Sequence, residues 1–318
     1  MAKIVVTHGV PDAYRALFKE HQVMAPERLK AFTQAELLEV TKDAEAILAC
    51  GPISRDIIEN AKKLLIIANY GAGYERIDVQ AASEKGIYVT NTPDETAYPT
   101  AELAIGLLLA AMRRIGELNL LAREKPSTEL FGMGKYMGMG LYGNTLGIIG
   151  MGHIGSIVAR FGHLMGMRVL YYNRNRAKEE HGAVFTDLDT LLRESDAISI
   201  HCPLTAETKG LISREKLALM KKRSVLVNTA RGAIVDYDAL YERLKAGDMF
   251  AAGLDVFYSE PEIPEKLCEP DNIVLTPHVG TNTMEARNAM GCAAASRILE
   301  VLGGKIPEHV VNPTVIKS

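Results

Sequence analysis

The sequence predicts an α/β protein with two Rossmann-like or flavodoxin-like parallel-sheet domains, and three observations carry that prediction. Short β-branched runs alternate with helix-period segments along most of the chain, the pattern of parallel strands joined by crossover helices. A glycine triplet at Gly150, Gly152 and Gly155 directly follows one such run and opens a helical segment, as in dinucleotide-binding βαβ units. The chain's 318 residues, 47% of them apolar, exceed an average domain of ~150 residues about twofold, so two separate cores are expected.

In the first hundred residues the strands are predicted at 4–7, Ala46–Ala49, 64–69 and 87–90. Helices are predicted between them at 34–42, 54–61 and 78–85. Asn91-Thr92-Pro93-Asp94 then reads as a break, followed by one long helix over 100–123 with Leu103, Leu107, Leu108 and Ala111 on a single face. A domain boundary is expected just before that helix. Between Phe131 and Gly143 stand five glycines and three methionines with no regular period. This stretch is either a flexible connection or an arm that closes over a site or a partner subunit. A second αβ series follows, with strands predicted at Thr145–Ile149, Arg168–Tyr172, Ala197–Ile200, 224–228, 250–254 and Ile273–Leu275, and a last helix at 283–302 whose Ala289, Ala293 and Ala294 suit close packing.

Composition removes several function classes. Thirty-six Lys and Arg against thirty-nine Asp and Glu leave a formal charge of −3, so no global basic field favours nucleic acid or an anionic membrane. The longest uncharged apolar stretch, 104–112, is about half the ~20 residues that span a bilayer. Residues 1–10 lack the charged and apolar regions of a signal peptide. Cys50, Cys202, Cys268 and Cys292 are too far apart for a C-x-x-C metal or redox pair and too sparse for a disulfide framework. No metal site is expected, and a cytoplasmic location fits the thiols best.

In the glycine turn, Gly150 permits the tight bend, Gly152 lets a pyrophosphate approach the backbone, and Gly155 lets the helix lie close to the sheet. The N–H groups of the helix start, from His153 and Ile154 onward, offer partial positive charge to phosphates. The bland alternative is a purely structural turn. At the end of the next strand, where NAD sites carry an acidic residue for the ribose 2′-OH, stands Asn173, followed by Arg174 and Arg176. No carboxylate there repels a 2′-phosphate, and two guanidiniums can hold one. NADP is therefore the preferred cofactor, with NAD possible if the arginines are only solvated loop charges.

Three further segments fall at strand ends: Asn228-Thr229-Ala230-Arg231-Gly232, the stretch from Asp255 to Glu260-Pro261, and Thr276-Pro277-His278-Val279-Gly280. Ligands of open α/β sheets bind outside the carboxyl ends of strands, so Arg231, Glu260 and His278 are candidates to act together. Singly they read as a surface ion-pair residue, a loop carboxylate and a core histidine. Following a dinucleotide turn, the joint reading is catalytic. Arg231 can hold a carboxylate and polarise an adjacent ketone, His278 can give or take the proton, and Glu260 can fix the imidazole tautomer and favour its charged form.

These segments, in this order and spacing, resemble the D-isomer-specific 2-hydroxyacid dehydrogenases, and the resemblance covers nearly the whole chain. It also includes Asn69-Tyr70-Gly71-Ala72-Gly73-Tyr74, Thr100-Ala101-Glu102 and His201-Cys202-Pro203-Leu204-Thr205. The resemblance implies reversible hydride transfer between nicotinamide and C2 of a 2-keto acid, giving a D-2-hydroxy acid. It implies that the final helix returns to the first domain, so that 1–98 plus 284–318 form a discontinuous substrate domain, 99–283 the dinucleotide domain, and a cleft between them the site. It places Tyr70, Gly71 and the Ala72 and Gly73 amides with Arg231 and His278 at the substrate. It assigns Thr100, Cys202, Pro203, Thr205, Thr229, Ala230, Asp255, Gly280, Arg231 and His278 to the cofactor's surroundings, with Asp255 at the nicotinamide carboxamide. Among relatives the pattern looks most like glyoxylate or hydroxypyruvate reductases, with phenylpyruvate or hydroxyphenylpyruvate reductases as competitors. An NAD(P)-sensing co-repressor-like protein is the alternative from another class. Tyr70 and Tyr74 either line an aromatic pocket or pack at the base of their loop. A homodimer is expected, with the arm before the glycine turn at its interface.

Overall fold

The computed structural model describes residues 1–9, 12–27, 30–124 and 130–316. The chain divides into two compact units, Met1–Thr96 with Thr281–Ser318, and Ala97–Gly280.

In the first unit five parallel strands, β1 (Lys3–Val6), β2 (Gln22–Met24), β3 (Ala46–Ala49), β4 (Ile66–Asn69) and β5 (Tyr88–Thr90), lie in the order β2-β1-β3-β4-β5. Strands β3 and β4 are buried at every position, which is why they read as unbroken apolar runs rather than alternating ones. Strand β2 escapes the sequence reading because it is a three-residue edge with only partial burial. Helix Gln34–Val40 is nucleated by a capping box in which Thr33 and Glu36 satisfy each other's backbone donors. One face of the sheet packs on the helices between strands, through Leu37, Ile57, Ile58 and Ala81. The other packs on Met284–Leu302 through Tyr14, Met290, Ala294 and Ile298. Complete burial of Ile298 alone is worth about 2 kcal/mol. Gly291 approaches the rings of Tyr70 and Tyr14, where an added Cβ would sit 3.5 and 3.8 Å from them.

The second unit carries seven parallel strands, β6 (Thr145–Ile149), β7 (Arg168–Tyr172), β8 (Val184–Phe185), β9 (Ala197–Ile200), β10 (Val225–Asn228), β11 (Ala251–Leu254) and β12 (Ile273–Leu275), in the order β12-β11-β10-β9-β6-β7-β8. The strands remain parallel, but the order in which they are added reverses between β6 and β9. This is the topological switch point, where doubly wound sheets open a crevice at their carboxyl ends.

Two expectations about the connecting segment are corrected. The long helix begins at Pro93, not at residue 100, and runs to Met112 with Pro99 inside it. Proline at the first helical position loses no hydrogen bond, so Pro93 starts the helix instead of breaking the chain. Arg114 then takes a left-handed φ of 57° and a separate helix, Ile115–Glu124, follows. The Arg114 guanidinium grips Glu117 through two bonds, at 2.8 and 2.5 Å.

The Met/Gly stretch is only half a loose connection. Met139 donates its N–H to the Met112 carbonyl at 2.7 Å, and Met139 and Leu141 are buried with Leu108 and Met112. Gly138 lies so close that a Cβ would stand 2.7 Å from that same carbonyl. Phe131, Met133 and Met137, by contrast, are exposed. Among the described residues no helix is long and apolar enough to cross a membrane.

Candidate active site

The glycine turn sits at the switch point. Gly150 has a φ of +102°, and an added Cβ would meet the Cys202 amide nitrogen at 2.5 Å. Only glycine serves there, because both the backbone conformation and the space exclude a side chain. Gly155 is tighter still, with a notional Cβ 2.0 Å from the Gly150 carbonyl oxygen. Gly152 is the opposite case, since an added Cβ meets nothing within 4 Å. That open space faces the start of helix His153–Leu164, for which Gly152 is the N-cap. A bend without side chains followed by a helix start is a cradle for phosphate. In the same unit, the Thr229 hydroxyl is buried without a hydrogen-bond partner among the described residues, a polar atom that a bound ligand can satisfy. Both features fit a dinucleotide.

Asn173, the residue expected at the ribose, accepts the Met151 N–H at 2.7 Å through its Oδ1, so its side chain braces the glycine turn. Arg176 differs from expectation. Its Nε and Nη2 donate to Glu180 at 2.8 and 2.9 Å, which leaves Arg174 as the guanidinium that makes no hydrogen bond or ion pair among the described residues. Burial pushes the Cys202 thiol up to about 11, so it is protonated and inert at neutral pH. Pro203 accepts the Thr208 hydroxyl at 2.6 Å, and the Thr205 hydroxyl donates to Glu207 at 2.6 Å.

Three loops at the carboxyl ends of β10, β11 and β12 build the reactive cluster. After β10, Asn228 donates to the Arg231 carbonyl at 3.0 Å and accepts the Ala230 N–H at 3.0 Å, folding the turn that presents Arg231. Arg231 itself donates to the Ala230 carbonyl at 2.7 Å. Gly232 packs against the next loop so closely that a Cβ would stand 2.2 Å from the Phe257 carbonyl carbon. Tyr237 ties the same two loops, since its hydroxyl accepts from Asn228 at 3.1 Å and donates to the Val256 carbonyl at 2.7 Å. Asn228, Gly232 and Tyr237 were not singled out from sequence as positioning residues. Asn228 lies inside the Asn-Thr-Ala-Arg-Gly segment, whereas Tyr237 carries no local signal.

Glu260 is held by the Phe257 N–H on Oε1 at 2.9 Å, and its Oε2 lies 2.7 Å from His278 Nδ1. Partial burial raises the Glu260 pKa, but the bonds from His278 and Phe257 and the charge of Arg231 outweigh it and leave the carboxyl below its ordinary range. The stabilisation this represents is present above the usual carboxylate range and lost as pH falls through the lowered value.

Asp255 braces the loop that carries His278. Its carboxylate, 1% exposed, accepts the Thr276 hydroxyl at 2.6 Å and the Val279 and Gly280 amides at 2.8 and 3.0 Å. Both oxygens thus hold the turn in which His278 adopts a left-handed φ of 52°. Burial raises the Asp255 pKa despite these bonds. Thr100 lies beside this turn, its hydroxyl 3.5 Å from a Cβ built on Gly280.

In the first unit, the loop after β4 is held by side-chain amides. Asn69 donates to the Gly71 and Gly73 carbonyls at 2.9 and 2.8 Å, and Asn91 to the Ala72 carbonyl at 2.8 Å. With those carbonyls taken up, the Ala72 and Gly73 N–H groups have no partner among the described residues. Tyr70 packs instead of lining a pocket, being 6% exposed with its hydroxyl donated to the Arg287 carbonyl at 2.6 Å. Among the described residues no group of His, Cys, Asp or Glu is arranged to hold a metal.

Residues 105–280 match the family described as D-isomer specific 2-hydroxyacid dehydrogenase, NAD binding domain. The chain belongs to the D-isomer-specific 2-hydroxyacid dehydrogenases. It is 41% identical to the glyoxylate reductase of Thermococcus litoralis, over 99% of this chain and 98% of that protein. Among solved structures, the TT0316 protein of Thermus thermophilus superimposes with a TM-score of 0.91 at 38% identity, covering 97% of this chain and 99% of that one. An NADPH-dependent glyoxylate/hydroxypyruvate reductase of Sinorhizobium meliloti gives 0.87 at 28% identity, with 100% of each chain covered. This dehydrogenase is an NAD(P)-dependent oxidoreductase that interconverts 2-keto and 2-hydroxy acids, and the co-repressor-like alternative is not favoured.

Proposed function

We propose that this dehydrogenase reduces glyoxylate or hydroxypyruvate to the D-2-hydroxy acid with NADPH as preferred donor. The observation that carries the chemistry is the 2.7 Å contact between Glu260 and His278, on the loops after β11 and β12, beside the loop after β10 that carries Arg231. When bound, the nicotinamide supplies the hydride. Arg231 binds the substrate carboxylate and polarises the ketone oxygen through its planar fork. In this reading the second unit, which carries the glycine turn, is the dinucleotide domain, and the first unit, which carries the Ala72 and Gly73 amides, is the substrate domain. His278 gives its Nε2 proton to the oxygen as charge grows there, and Glu260 keeps Nδ1 protonated and the ring oriented. In the oxidative direction neutral His278 takes the hydroxyl proton.

Support for glyoxylate comes from the named activities of the Thermococcus litoralis and Sinorhizobium meliloti relatives. Support for NADPH comes from Asn173 in place of an acidic residue and from Arg174. Initial rates over glyoxylate, hydroxypyruvate, pyruvate and phenylpyruvate with each nucleotide test both halves. Glyoxylate or hydroxypyruvate with NADPH should give the highest kcat/KM, and dominance of phenylpyruvate would replace this reading by the aromatic one. Arg174→Asp is expected to lower the NADPH over NADH preference at least tenfold, and an unmoved preference sinks the cofactor assignment.

The exposed side chains of Leu120, Phe131, Met133, Met137 and Tyr142 suit burial against a second copy in a homodimer. A monomeric mass by light scattering refutes this. Four free thiols support a reducing cytosol as the location.

A further inference from the structure

We propose that Glu180 and Glu207 set how strongly this dehydrogenase discriminates NADPH from NADH, by cancelling the charge of the two arginines that follow β7. The proposal rests on the reading of Arg174 as the contact for a 2′-phosphate.

Arg176 is committed within the protein. Its Nε and Nη2 edge is taken by both oxygens of Glu180, and Glu180 is anchored in turn by the Tyr171 hydroxyl, which donates to Oε1 at 2.5 Å. Tyr171 is completely buried, and the same hydroxyl accepts the Ala177 N–H at 3.1 Å. The carboxylate is therefore fixed from beneath by a rigid ring at the end of β7, and it cannot simply swing away when a phosphate arrives. Beyond the end of β9, Glu207 accepts the Thr205 hydroxyl at 2.6 Å. The Thr205 bond, with help from the charge of Arg174, holds this carboxyl below its ordinary range, so it is ionised at neutral pH.

Two guanidiniums and two carboxylates leave this end of the nucleotide site with no net charge. A 2′-phosphate carries between one and two negative charges and gains from cations only what nearby anions do not take back. NADH, with a neutral 2′-hydroxyl, is indifferent to that balance. Glu180 is thus a competitor for Arg176 and a repulsive neighbour for the phosphate at once. Removing its charge frees a preformed fork a few residues from Arg174.

The test compares adenosine 2′,5′-bisphosphate with 5′-AMP by calorimetry on the full-length protein, since the pair differs only in the 2′-phosphate and needs no turnover. Glu180→Gln is expected to tighten the bisphosphate roughly three- to tenfold and leave 5′-AMP unchanged, and Glu180→Gln with Glu207→Gln to tighten it further. Tyr171→Phe, which removes the anchor but keeps the charge of Glu180, should raise the ratio of the two affinities by clearly less than Glu180→Gln does. An unchanged or reduced ratio in Glu180→Gln overturns the proposal, as does a Tyr171→Phe effect of equal size, which would mean that loop shape rather than charge decides. Failure of the wild type to bind either nucleotide overturns the cofactor reading and this proposal with it. A wild-type preference for 5′-AMP overturns only the NADPH reading, and the shift in Glu180→Gln still decides this one.

Discussion

His278→Ala lowers kcat/KM for glyoxylate by about three orders of magnitude while nucleotide affinity stays within about twofold of wild type. The expectation follows from placement. His278 meets Glu260 at 2.7 Å, and its backbone is set by Asp255, which receives the Val279 and Gly280 amides. Alanine at 278 removes the proposed proton donor and leaves those backbone bonds available, so the loss should fall on chemistry rather than on folding. Glu260→Gln separates orientation from charge. The amide keeps a hydrogen-bonding group beside Nδ1 but cannot favour the imidazolium, so kcat should fall by about tenfold or more with little change in KM. Glu260 lies below the ordinary carboxylate range, so an ionisation seen in the pH profile above about pH 5 belongs to another group. Near-normal turnover of His278→Ala on glyoxylate would remove the proton relay from the mechanism.

Gly155→Ala destabilises the second unit by about 3 kcal/mol and abolishes measurable ADP binding. Its added Cβ would stand 2.0 Å from the Gly150 carbonyl oxygen and 3.1 Å from an Ile148 methyl. The first contact is with backbone, which cannot rotate out of the way. Either the helix lifts from the turn or the turn opens, and in both cases the phosphate cradle is lost. Gly152→Ala is the control, because its Cβ would meet no protein atom within 4 Å. That variant should melt within about 2 °C of wild type and still bind ADP more weakly, since its methyl occupies the approach of a phosphate. Thermal unfolding and calorimetry on the two variants check the pair. Equal melting temperatures for Gly155→Ala and wild type would show that the close approach is not present in solution.

The candidate residues Arg231, Glu260 and His278 could be singled out because each lies in a short segment at the end of a strand, and strand ends could be found from local pattern. Strands β6, β7, β9 and β12 coincide with the predicted spans; β6 and β9 are buried at every position, and fully buried parallel strands advertise themselves as apolar runs. Strands β2 and β8 did not, being two- or three-residue edges with partly or wholly exposed side chains. The left-handed break at Arg114 was hidden because the apolar stripe continues past it, and Pro93 looked like a stop because its helical position depends on where the helix begins.

By itself the sequence determined the fold class and singled out the glycine turn and the candidates Arg231, Glu260 and His278, all of which depend on near neighbours along the chain. Only the tertiary structure decided what the other polar groups do. Asp255 holds the His278 turn through Thr276, Val279 and Gly280. Tyr70 is buried on the last helix of its unit, and Tyr237 joins the Arg231 loop to the Glu260 loop. Arg176 is bound to a carboxylate that a buried tyrosine fixes. The physical reason is common to all four. A charged or hydroxylated side chain is assigned its role by the partner that satisfies it once water is excluded. Burial and partner are set by chain segments that meet only when the sheets and helices pack, and no local pattern in the sequence encodes that meeting.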